Sequence, residues 1–435
     1  MNKKFDVIVI GAGIIGCAVA FELAKKGYKT LNIDKNPDSG YGSTSNSCGI
    51  IRFSYSTLDG VALAYEGYHY WVDWANYLGV EDERGLVKYH QQGNIMLKTK
   101  ARDSEKILNH YRQIGIRFEE WDVDTLKAQV PIYDTRSFWP TTTVDDPKFW
   151  NEPEEEIFGA VFTPDSGYIS EPQLATHNIQ RAAEAQGGQF LFDGEVAEIR
   201  QEEGRVVGVI LKDGQQIDAP VVVNVAGPHS FIINRMAGVE KGMRIKTRAQ
   251  RHEVHHVPSP PGFDFEKDGR ITSDGDNSIY FRPEPGNRIA VGSEDPECDP
   301  KIWVDDPDNY DRNFIDSQWK AQVYRLAKRI PNLPIPKQPQ GVVDLYDVSD
   351  DWIPIYDKSD LKGFYMAVGT SGNQFKNAGV VGQLMAELIE ACEQGHDHDN
   401  DPLQIKGRYT GVTINVGTFS RLREINKNSS FSVLG

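Results

Sequence analysis

The sequence predicts an α/β dinucleotide-binding, Rossmann-like domain interleaved with an α+β domain built mainly on an antiparallel sheet. Three observations carry this prediction. A buried-type strand runs directly into a glycine-rich turn and a helix near the start of the chain. Strand and helix patterns of the same kind return after residue 150 and again after residue 345, separated by short alternating runs broken by Pro and Gly. The length, 435 residues, exceeds what one hydrophobic core ordinarily serves. The expected division assigns residues 1–85, 150–235 and 345–435 to the dinucleotide domain, and 86–149 and 236–344 to the second, substrate domain.

The first element is FDVIVI at 5–10, whose continuous apolar run from Val7 to Ile10 suits a parallel strand covered on both faces. The opening run superficially resembles a signal peptide, but it is punctuated by glycines and followed by the charged ELAKKGYK. In the turn, Gly11 permits the tight bend, Gly13 lets backbone approach a pyrophosphate, and Gly16 lets helix pack on strand. The helix beginning near Ile14 offers unpaired backbone N–H groups to phosphates and packs through Cys17, Ala18, Ala20, Phe21 and Ala24. KTLNID is the second strand, with Asp34 at its end to accept ribose hydroxyls. The motif alone does not separate FAD from NAD.

The polar segment GYGSTSNSCGIIRFSYS at 40–56 reads as a loop in which Ser43 and Thr44 are available to a phosphate or flavin. A helical stretch from Leu63 to Leu78 carries Tyr65, Tyr68, Trp71 and Trp74 at core-packing spacing. Residues 141–160 have the composition of a surface insertion. EPQLATHNIQRAAEAQGG is a helix, QFLFDGEV a short strand, and APVVVNVAGPHS a strand ending in small residues. RHEVHHV, SIYFRP and NRIAVG are the antiparallel strands of the second domain, and GFYMAVGTSGNQFKNAGVVGQLMAELIEAC returns to strand, glycine loop and helix.

Composition removes several function classes. A net charge of −16 without a long basic run argues against nucleic acid as a partner. Four scattered cysteines, Cys17, Cys48, Cys298 and Cys392, fit neither a disulfide framework nor a zinc site and are consistent with a reducing cytoplasm. No stretch reaches the length of a membrane span. His252, His255 and His256 lack metal-ligand spacing, and HDHD at 396–399 reads as a solvated acidic turn, so no metal is expected.

Taken jointly, VIVIGAGIIGCAVAFELAKKG, GSTSNSCGIIRFSYS, VVVNVAGPHS, IYFRPEPGNRIAVG and GTSGNQFKNAGVVG resemble the D-amino-acid oxidase superfamily. The similarity is greatest to its branch of sarcosine oxidases and dimethylglycine dehydrogenases. It spans nearly the whole chain and implies FAD, with the adenine end by Gly11, Gly13, Ile14, Gly16, Asp34 and Lys35 and the isoalloxazine between the domains. Val196, Ala226 and Gly227 resemble the further cofactor-contacting positions. The loop Gly372, Asn373, Gln374, Phe375 and Lys376 resembles the family loop that reaches flavin and substrate. Arg52 matches an arginine beside the flavin that stabilises charge on the reduced ring, and Lys376 matches a basic residue that holds a substrate carboxylate. Tyr55, Tyr280 and His256 are the remaining catalytic candidates, as cavity hydroxyls and an electrostatic group. Relatives with covalent flavin use a histidine in the early polar segment or a cysteine in the second domain. Both positions differ here, which implies noncovalent FAD, with Cys48 the one nearby thiol.

The implied reaction is oxidation of the C–N bond of a secondary or tertiary amine, an N-methyl amino acid above all, to an imine or iminium that water hydrolyses. Electrons would pass to oxygen or to an electron-transfer partner. Two departures leave the substrate open: Glu284 follows the proline where relatives often carry arginine, with Arg282 before it. Oxidation of a hydroxy acid or of a glycerol-3-phosphate-like compound is the alternative, which would require a base suited to an alcohol proton. A non-enzymatic FAD-stabilised interaction protein is a third reading, and the C-terminal Arg421 and Arg423 read as solvated charge or a partner contact.

Overall fold

The computed structural model describes residues 3–435. Its centre is a six-stranded sheet in the order Gln189–Leu191, Thr30–Ile33, Val7–Ile10, Val221–Asn224, Phe364–Val368 and Ile355–Lys358. All neighbours run parallel except the last pair, which is antiparallel. The apolar run at 7–10 is continuous because both faces are covered. Val7 and Val9 join the core formed with the helices Ile14–Lys25, Pro172–Ala185 and Ala378–Glu393. Ile8 and Ile10 pack the other way, against Val206, Val209, Leu211 and Ile217 of a small sheet containing Val196–Glu202, Arg205–Leu211 and Gln216–Asp218. The period-two geometry of a strand thus sends alternate residues into two cores.

The second sheet has nine strands and is antiparallel apart from one parallel join, between Asn94–Lys98 and Ile271–Asp274. Its long strand, Thr247–Pro258, pairs along its length with Gly341–Ser349. Two sheet memberships depart from the boundaries expected at 150 and 345. Gly159–Thr163 pairs with Asn94–Lys98 and Glu119–Trp121, and Gly341–Ser349 also belongs to the large sheet. Both lie in stretches whose loop-like or glycine-rich flanks conceal which sheet the strand joins.

Other departures concern charge. The HDHD turn is not simply solvated: His398 is buried beside Asp357, and Asp399 pairs with Lys358 and Arg421. Arg421 is itself buried among Asp357, Asp360 and Asp399, and Arg423 binds Asp351 at 2.7 Å. These arginines fasten the C-terminal segment to the dinucleotide domain. No helix among the described residues is long and apolar enough to cross a membrane.

Candidate active site

One cavity of about 610 Å³ runs from the first glycine turn to the loop at 372–376, between the two sheets. At its dinucleotide end the glycines are required by contact as well as by conformation. A Cβ on Gly16 would lie 2.0 Å from the Gly11 carbonyl oxygen, and one on Gly11, whose φ is +111°, would lie 2.4 Å from the Val225 carbonyl oxygen. No side chain fits at either position. Asp34 fixes the turn, its carboxylate accepting from Ala12 N–H at 2.7 Å and Asn36 N–H at 2.9 Å. Thr44 Oγ1 accepts from Ile14 N–H at 3.2 Å, which ties the early polar loop to the helix start. Lys35 lies at the mouth, 2.9 Å from His229 Nε2 and paired with Asp308.

The opposite end is made of side chains from distant segments. Lys376 is buried; its Nζ donates to Tyr55 Oη at 2.8 Å and to the Asn373 carbonyl at 2.6 Å. Tyr55 Oη in turn donates to that same carbonyl at 2.6 Å. Arg52, also buried, stands over the Tyr55 ring at 4.8 Å, and Lys376 Nζ approaches the same ring at 5.3 Å. Neither cation forms an ion pair with a carboxylate among the described residues. Burial, and then the neighbouring Arg52, hold the Lys376 ammonium well below the usual lysine range. Burial raises the Tyr55 phenol to about 12, with Arg52 opposing.

The supporting elements explain this placement. Gly372 has φ +68°, and a Cβ there would strike the Tyr346 ring at 2.4 Å, so the loop can press against that ring only with glycine. Trp71 stacks on Phe375 at 5.3 Å and its indole N–H donates to the Lys376 carbonyl at 2.7 Å. The aromatic helix read as core packing therefore also positions the cation. Tyr280 Oη lies 3.4 Å from Tyr346 Oη and 3.5 Å from Cys48 Sγ, and all three residues line the cavity. Burial raises the Cys48 thiol, against the thiolate needed for attack on a flavin.

The sequence-selected residues Gly11, Gly13, Ile14, Gly16, Asp34, Lys35, Ser43, Thr44, Arg52, Val196, Ala226, Gly227, Tyr280 and the loop 372–376 all line this cavity. Tyr55 stands behind Lys376 and is not part of the lining. His256 is not brought to the site. It shares the sheet face of Tyr280 and Tyr346 but sits further along its strand, beside the Arg282–Glu284 pair, where Arg282 Nη1 and Glu284 Oε2 lie 2.7 Å apart. Glu284 is engaged there and does not line the cavity either. His252, by contrast, stacks on Tyr346 at 4.0 Å, with Nε2 3.5 Å from Asp295 Oδ2. Burial pushes this histidine down to about 3 and Asp295 up to about 7, so at neutral pH the two do not form a full ion pair.

Tyr346, Asp347, Val433 and Leu434 also line the cavity, and no local motif marks them. Asp347 is buried, accepts from Gly369 N–H at 2.5 Å and keeps Oδ1 without a partner; burial raises its carboxyl to about 7.

The comparisons agree with this geometry. The FAD dependent oxidoreductase (DAO) family model matches residues 6–388. Mitochondrial sarcosine dehydrogenase of Mus musculus is 23% identical over 88% of this chain, which spans only 39% of that relative's length. Glycine oxidase of Geobacillus kaustophilus is 23% identical over 91% of this chain and 96% of its own. Among solved structures, L-proline dehydrogenase from P. horikoshii superposes with a TM-score of 0.74 at 21% identity, covering 97% of this chain and 98% of the other. The resemblance to the sarcosine oxidase-like branch and the two-sheet architecture are thereby met. The glycine cradle that no Cβ could share, the Asp34 carboxylate and a cavity lined continuously from that cradle to the loop at 372–376 fit FAD. The chain belongs to the FAD-dependent oxidoreductase family of D-amino-acid oxidase type.

Proposed function

We propose that this enzyme oxidises the C–N bond of a secondary or tertiary amine that carries a carboxylate, with an N-methyl amino acid as the favoured substrate. The observation that supports this most is the pair of buried cations, Arg52 and Lys376, facing one cavity with no carboxylate in ion-pair contact with either among the described residues. Burying unpaired charge is costly, so such a pair is an anion site awaiting its ligand. A carboxylate seated there returns Lys376 to its ammonium form and orients the adjacent carbon toward the middle of the cavity. The relatives that act on sarcosine and glycine, as their names state, support the same substrate class.

Residues 11–16, Asp34, Lys35, Ser43, Thr44, Val196, Ala226 and Gly227 would hold FAD, and bound FAD supplies a two-electron acceptor for the hydride equivalent leaving the substrate carbon. Arg52 and Lys376 bind and align the substrate, and Tyr55 with the Asn373 carbonyl holds Lys376 in place. The imine or iminium product is hydrolysed by water; an N-methyl substrate releases formaldehyde and the demethylated amine. No side-chain base is needed if the amine binds neutral. FAD is held noncovalently, since Cys48 is a poor thiolate. Oxygen or another electron acceptor completes the cycle, and the cysteine pattern supports a cytoplasmic location.

The test is anaerobic bleaching of the flavin by N-methyl amino acids, secondary amines, D-amino acids and hydroxy acids, followed by oxygen. Bleaching by an N-methyl amino acid is expected; fast recolouring then identifies an oxidase and persistent reduction a dehydrogenase. Bleaching by hydroxy acids alone overturns the amine reading.

A further inference from the structure

The segment 429–434 enters the substrate end of the cavity beside Arg52, and we infer that Val433 is a specificity-determining residue that limits the size of carboxylate the pocket admits. The inference rests on Arg52 and Lys376 being the anchor for a substrate carboxylate. Val433 is buried, its carbonyl accepts from Arg52 Nη2 at 2.6 Å, and it forms with Val348 and Trp352 an apolar cluster against which Tyr280 and Tyr346 pack. It therefore touches the anchoring cation through its backbone and the cavity wall through its isopropyl group. Val433 and Arg52 line the same end of the cavity, so a group carried by a carboxylate on Arg52 extends along the wall to which Val433 belongs.

The segment is built to stay there. Ser429 Oγ donates to the Asp351 carbonyl at 2.5 Å and accepts from Phe431 N–H at 3.3 Å. Ser430 Oγ accepts from Ser432 N–H, and Ser432 Oγ from Leu434 N–H, so successive serines close successive turns. Phe431 has φ +48°, a left-handed bend that turns the chain inward. Asp351, the anchor, is gripped by Arg423 at 2.7 and 3.0 Å. A β-branched side chain on so constrained a backbone has little rotamer freedom with which to move aside.

Holoenzyme and the variants Val433→Ala, Val433→Gly and Val433→Ile are titrated with acetate and benzoate, following perturbation of the flavin absorbance, with flavin content and melting temperature confirming an intact fold. The ratio of benzoate to acetate affinity should rise from Val to Ala to Gly, by about tenfold or more at Gly, and fall for Ile. Acetate binding that persists in every variant with an unchanged ratio overturns the role of Val433 and leaves the anion anchor standing. Failure of acetate to bind even the unaltered holoenzyme overturns the anchor, and the inference with it.

Discussion

The two ends of the cavity are made from different materials. The dinucleotide end is mostly backbone: three closely spaced glycines, a helix start and one carboxylate within residues 11–35, closed by small residues at 43–44 and 226–227. The substrate end is side chains that meet from residues 52, 280, 346, 376 and 433. Backbone recognition needs glycine at fixed spacing and tolerates no replacement, whereas side-chain recognition can be retuned one residue at a time. An enzyme family can therefore keep its cofactor while changing its substrate.

Substitutions at the two ends should consequently fail in different ways. The largest effect is expected for Gly16→Ala or Gly11→Ala, where the new Cβ meets backbone oxygen at 2.0 or 2.4 Å. Neither contact can be relieved by rotating a side chain, so a loss of about 3 kcal/mol or more and near absence of flavin in the purified protein are expected, read by denaturant unfolding and by FAD content. Normal flavin content in either variant would break the distinction between the two ends.

Lys376→Met should do the reverse, keeping FAD and weakening acetate by about 2 kcal/mol or more. The same variant tests proton linkage. In the free enzyme burial and then Arg52 depress Lys376, and a bound carboxylate raises it, so acetate binding takes up a proton. Affinity should fall as pH rises between the depressed free value and the raised bound value, by at most about tenfold per unit, and this slope should vanish in Lys376→Met.

Asp347 sharpens the comparison from the wall that the two ends share. Its folded carboxyl titrates at about 7, above its ordinary 3.8, so the folded state holds a proton that the unfolded state has released. Stability from this group is full below pH 3.8 and is lost as pH rises toward 7, by a few kcal/mol on the order of 1.4 per unit. Asp347→Asn should flatten that loss in melting curves measured from pH 4 to 8. The smallest effect, about 1 kcal/mol, is expected for Thr44→Val, which removes the acceptor for Ile14 N–H and should raise the FAD dissociation constant severalfold.

The same difference in materials governs what could be read from the sequence. Strand, GAGIIG, helix and Asp34 are contiguous, and each residue type has one physical reason to be where it is. Arg52 and Lys376 were reachable because their flanking segments resemble known relatives. Tyr346 and Val433 lie in stretches without any such pattern, and only the strand pairing of 341–349 and the serine turns at 429–434 bring them to the site. His256 illustrates the converse: alternation along its strand separates it from His255 and puts it on the face of Tyr280 and Tyr346, but how far along that face the cavity reaches depends on sheet packing. Strands 159–163 and 341–349 escaped assignment because sheet membership is a long-range choice.

The central sheet sets a timetable as well as a shape. Val7–Ile10 takes Val221–Asn224 as one neighbour, and Phe364–Val368 lies just beyond. During synthesis the parallel unit of strand Val7–Ile10, helix Ile14–Lys25 and strand Thr30–Ile33 must wait, one edge unpaired, until residue 224 has left the ribosome. Its glycine cradle has no second wall until Val225 arrives. The two-walled cradle, and with it tight binding of FAD, is thus available only once residue 225 has left the ribosome.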